Sequence, residues 1–111
     1  MDGDKQLLMD AAKAAGLELA MYQSQEGGLW LDRKHANPIT HSRDWNPLTD
    51  DGDALRLAVK LNFLVDSSAI QGATDAGDGT TFYQCELHNG DPYAATRRAI
   101  VRAAAEIGKS L

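Results

Sequence analysis

The chain has 111 residues, 43% of them apolar and 24% charged, with a formal net charge of −5. That length suits one domain, residues 1–111, burying about 60–70% of its unfolded surface, and the composition excludes a disordered chain. No apolar run approaches the ~20 residues that span a bilayer, so no membrane association is expected. The acidic balance disfavours non-specific attachment to phosphate backbones.

The acidic start, Met1-Asp2-Gly3-Asp4, lacks the basic segment, apolar run and cleavage site of a secretory signal. The single cysteine, Cys85, can form no internal disulfide. Both point to a cytoplasmic protein.

The first helix is expected over Asp4–Ala15. Leu7, Leu8, Ala11, Ala12 and Ala15 form one apolar stripe, and Gly16 supplies the stop. Leu17–Tyr22 changes to a period of two, which reads as a strand. Gln23–Gly28 is a polar turn. Leu29–Asp32 is a second strand, making a hairpin with the first. Arg33–Leu48 has no period and holds two of the three prolines, two of the three histidines and Trp45. A loop of this length in a small domain is a place to look for a site.

Asp50 suits an N-cap, with Asp53 three residues on as a short capping box. The helix that follows presents Leu55, Ala58, Val59 and Leu61 as its buried side, and Leu48 can staple against Leu55 or a neighbour. Phe63–Ile70 reads as the third strand, with Phe63, Val65 and Ala69 on one face. Gln71–Gly79 has turn chemistry, with glycines interleaved with Asp75 and Asp78. Thr80–His88 reads as the fourth strand. Asn89-Gly90 is a turn, Asp91 caps the last helix with Pro92 at its first position, and Gly108 ends it after Ile107.

The fold class is therefore α+β, in the order α-β-β-α-β-β-α, with three helices and a four-stranded, mainly antiparallel sheet. Two runs carry a family likeness: Trp45-Asn46-Pro47-Leu48-Thr49-Asp50-Asp51-Gly52-Asp53-Ala54-Leu55-Arg56-Leu57-Ala58-Val59-Lys60-Leu61, and Tyr93 to Gly108 with its Thr96-Arg97-Arg98-Ala99-Ile100-Val101-Arg102 centre. They resemble a family of small phage and prophage proteins of Gram-negative bacteria, described as an α-β-α ("ABA") sandwich domain with no established activity. The resemblance implies a sandwich in which Trp30, Leu64, Ile70 and Phe82 lie under a helix on the second sheet face. It also implies the cytoplasm of a bacterial host, and it transfers no catalytic residue.

The residues that could carry chemistry are few. Cys85 and His88 are three apart on an expected strand and point to opposite faces; His35 and His41 match no standard zinc spacing. Asp75–Gly79 and Asp50–Asp53 lack the ladder of oxygen ligands that a calcium loop needs. No phosphate loop, nucleophile elbow or acid/base pair is present. No metal, cofactor or catalytic residue is expected, and the protein is read as a non-enzyme.

Two binding surfaces remain. In the first, Trp45 anchors a host or phage protein, with Arg33, Lys34, His35, His41 and Arg43 around it. The competing reading packs Trp45 inward as a staple. In the second, Arg97, Arg98, Arg102 and Lys109 form a basic stripe on the last helix that could hold nucleic acid, against the alternative of a solvated helix face. The leading expectation is a protein-interaction module, with nucleic-acid binding as the alternative.

Overall fold

Proline at the first position and an aspartate before it start the last helix, as Asp91 accepts the amide of Ala94 at 3.0 Å. Alanine then recurs so densely that the helix can be approached from nearly every side. The computed structural model describes residues 2–22, 27–68, 70–79 and 83–111. Its elements are α1 (Asp2–Ala14), β1 (Leu29–Trp30), a single 3-10 turn (Arg33–His35), β2 (Asp44–Trp45), α2 (Asp51–Lys60), β3 (Leu64–Asp66), β4 (Ala73–Gly77), β5 (Tyr83–Leu87) and α3 (Pro92–Lys109). The α+β class and three helices are as expected from the sequence.

Helix α3 is the hub: α1, α2, β4 and β5 all pack on it. Leu8, Ala11 and Ala12 of α1, with Ala15 just beyond its end, meet Ala99, Ile100, Val101 and Ala104 in one buried cluster. Gly108 lies inside α3 instead of ending it, and the helix continues to Lys109. A Cβ at Gly108 would collide with the backbone carbonyl of Asp10. Glycine is there because two helix backbones cross in contact, and this corrects its reading as a stop.

The strands divide into two antiparallel sheets, β1-β2 and β3-β4-β5, in place of one four-stranded sheet. The central strand β4 (Ala-Thr-Asp-Ala-Gly) falls where turn chemistry is read from the sequence. Its residues are poor strand formers, but they are small, and small residues let the sheet lie close against α3. Thr74, fully buried, ties the layers together: its hydroxyl is 2.8 Å from that of Thr96 on α3 and 2.9 Å from Nε2 of His88. The expected first hairpin survives in reduced form. Ala20 donates to the Trp30 carbonyl and Asp32 to that of Glu18, around a lone bridge between Leu19 and Leu31.

Helix α2 is capped as expected, with Asp50 accepting the amide of Asp53 at 2.8 Å. Asp53 does not reciprocate; its carboxylate takes the Asn46 amide at 3.0 Å and thereby fastens the preceding loop. The buried face of α2 is Ala54, Leu57 and Ala58, while Leu55 and Val59 are exposed. Apolar residues cover a broad arc of this helix opposite Arg56 and Lys60, so the part of the arc that is buried is set by the position of α3 and not by periodicity. The third strand is shorter than expected, Ile70 is fully exposed, and Ala69 and Phe82 lie outside the described residues. α3 covers one face of β4 and β5. On the other face Leu64 and Leu87 stand exposed, so the helix that a sandwich would lay over Leu64 is not found among the described residues.

Candidate functional site

The segment from Arg33 to Leu48 is an ordered arm whose base is zipped by β1 and β2. Leu29 pairs with Trp45, Trp30 pairs with Asp44, and Leu31 donates to the Arg43 carbonyl at 2.9 Å. Its tip is built on Asn37. The carboxamide oxygen of Asn37 accepts the amides of Ile39 at 2.8 Å and Thr40 at 3.0 Å. Its carbonyl accepts the His41 amide, and its own amide donates to Ser42. The turn closes with His41 at φ 61°, in the left-handed region. Asn46 performs the same work where the arm enters α2: its side-chain oxygen accepts the Leu48 amide, and its carbonyl accepts those of Thr49 and Asp50. The sequence carries a signal for both, since each asparagine precedes a proline and Asn-Pro steps start turns.

Between this arm and α2 lies a cavity of about 720 Å³. Leu29, Leu31, Trp45 and Leu57 form its apolar floor, and Asp44, Asn46, Asp53 and Arg56 stand among its polar walls. Its size falls in the range of sites that enclose a small molecule or a side chain, roughly 300–1,000 Å³. His35 also lines it, and Nε2 of that ring is buried with no hydrogen-bond partner among the described residues. Buried ring nitrogens are normally paired, so this one leaves a donor or acceptor unused beside an apolar floor.

Of the residues expected around Trp45, several are engaged within the chain or turned inward. Trp45 is only 6% exposed and belongs to the core, which corrects its reading as an exposed anchor in favour of the staple. Lys34 pairs with Glu18. Arg43 lies 4.2 Å over the Trp30 ring and donates to the Leu31 carbonyl. Arg33 and His41 are exposed, and His35 turns toward the cavity. The residue that stands out instead is Ile39, 85% exposed at the tip of the Asn37 turn.

Each basic residue of the α3 stripe faces an acid of the same chain. Arg97 donates to Asp51 at 2.6 Å and to the Leu48 carbonyl, Arg98 to Asp4 at 2.9 Å, and Lys109 to Glu106 at 3.3 Å. Arg102 pairs with Glu86 of β5. A phosphate would have to displace or tolerate those carboxylates.

Among the described residues, no group of three or more histidines, cysteines or acids is placed to hold a metal ion. Cys85 is exposed on β5, but a hydrogen bond with Asp75 holds its thiol above the usual value, with smaller contributions from burial and from the charges of Asp75 and Glu86. A raised thiol is a poor nucleophile at neutral pH. No described helix is long and apolar enough to cross a membrane. No family model matches the chain, and comparisons with curated proteins and with solved structures give no match.

Proposed function

We propose that the protein is a non-enzymatic interaction module, an accessory protein of phage or prophage origin acting in the cytoplasm of the bacterial host. Its contact with a host or phage protein is the Arg33–Leu48 arm. The observation that carries this reading is Ile39: a large apolar side chain, 85% exposed, on a backbone turn already held by the four hydrogen bonds of Asn37. Fixing a loop before binding removes the ordering cost that a mobile loop would meet on association. An apolar anchor surrounded by polar groups is the usual form of an interface hot spot. The cavity beside the arm adds an apolar floor that can take a side chain from the partner, with His35 ready to bond its polar end.

The reading is tested by capture of a partner on immobilised protein, with and without nuclease, followed by titration of the captured protein. Ile39→Asp is expected to weaken binding by about tenfold or more, with an unchanged melting temperature. Wild-type affinity in Ile39→Asp would remove the arm from the interface. Loss of all captured material on nuclease treatment would instead favour nucleic-acid binding through Arg97, Arg98, Arg102 and Lys109.

A further inference from the structure

The three-stranded sheet has a face on which no helix packs among the described residues; the side chains of its edge strands are exposed there, with Ala73 and Gly77 of the central strand buried between them. Register places Leu64, Gly77 and Tyr83 in one row across it, Asp66, Asp75 and Cys85 in the next, and Ala73 with Leu87 in the last. Directly paired residues share a face, and alternate residues on each strand take opposite faces. The other face is identified by its contacts with α3, through Thr74 to Thr96 and Glu86 to Arg102, and by the fully buried Ala76. On the open face Leu64 is 61% exposed, Tyr83 43% and Leu87 66%.

The charge on this face has one sign. None of the three strands contains a lysine or arginine. Among the described residues, no basic group pairs with Asp66 or Asp75. The pattern along the strands is therefore apolar, acidic, apolar. Two rows of one face are separated by two residues, or about 6.8 Å. A helix rises about 1.5 Å per residue, so apolar, basic and apolar side chains at i, i+4 and i+8 would match the three rows. Three strands about 4.8 Å apart are also about as wide as one helix.

We infer that the open face of β3-β4-β5 docks an amphipathic helix of a partner protein, one that presents a lysine or arginine between two apolar residues at that spacing. A second copy of this chain does not fit face to face, because two such faces would bring four aspartates together with no counter-charge. The surface is separate from the Arg33–Leu48 arm and does not depend on its role.

Cys85, the single cysteine and exposed in the acidic row, reports on occupancy through its alkylation rate. The probes are two helical peptides of about fifteen residues, long enough to cover a strand of about 17 Å. One carries Leu, Arg and Leu at i, i+4 and i+8, and the other has Glu in place of Arg. The Arg peptide is expected to bind about tenfold tighter than the Glu peptide, to slow Cys85 alkylation, and to weaken with added salt. Asp66→Lys/Asp75→Lys is expected to invert the preference. Leu87→Asp, at an exposed position outside the acidic row, is expected to lower the affinity for the Arg peptide even if the double variant misfolds. Equal binding of the two peptides, or binding that leaves Cys85 unprotected, would overturn the inference. So would protection that arises from self-association without peptide.

Discussion

Single residues in this protein are chosen for space as often as for chemistry. Gly108 is the clearest case: a helix-stop residue by sequence pattern, it permits α1 and α3 to touch backbone to backbone. Gly108→Ala keeps helical propensity and would raise it in an isolated helix. In the protein it is expected to destabilise by about 3 kcal/mol, because the obstacle is a carbonyl oxygen and not a flexible side chain. Urea unfolding measures this, and a gain in stability would mean that the helices do not cross there. Trp45 shows the opposite arrangement. Its neighbours in sequence are polar, yet its ring lies in the core, held by pairing of its backbone with Leu29. No pattern of adjacent residues reveals that, because the partner strand is sixteen positions away.

At the scale of elements, caps and the buried stripe of α1 are readable from the sequence, and the buried face of α2 is not. Asp50 and Asp91 each accept the amide three residues on, because an N-cap needs only local groups. The buried side of α2 needs a neighbour to define it. Leu55, Leu57, Ala58 and Val59 are all apolar, and only the location of α3 selects Leu57 and Ala58. Leu57→Ala is accordingly expected to cost about 2–5 kcal/mol, against about 0.5 kcal/mol or less for Leu55→Ala at the exposed position. Chemical denaturation of the pair decides it, and equal losses would rotate the helix. The strands follow the same logic. β5 has aromatic and alternating residues and was legible from Tyr83 onward. β4 was missed because Ala-Thr-Asp-Ala-Gly has turn composition, and its place in the sheet comes from lying under α3. β2 was missed because two residues are too few to show a period.

The whole molecule is arranged around α3, which accepts contacts from both other helices and from two strands of the larger sheet. Cooperative stability should follow that arrangement. In hydrogen exchange, the amides of Ala99–Ala105 are expected to be the slowest in the chain, and those of β1 and β2 to open by lower-energy local fluctuations. Similar protection in the two regions would contradict a single hub. The same arrangement bears on binding. α3's basic residues are occupied by acids from α1, α2, β5 and α3 itself, whereas Ile39 of the Asn37 turn and Leu64, Tyr83 and Leu87 of the open sheet face are exposed.

By itself, the sequence determined what depends on near neighbours: the α+β class, the starts of α2 and α3, and the Asn89-Gly90 turn with both residues at positive φ. These rest on capping, on left-handed turn residues and on hydrophobic period, all of which act within a few residues. Tertiary structure decided the division into two sheets, the inward turn of Trp45, the exposure of Ile39, the cavity lined by His35 and the pairing of every arginine of the α3 stripe. Each of these depends on which distant segments come together, and α3's small side chains, by allowing close approach on several sides at once, set that packing.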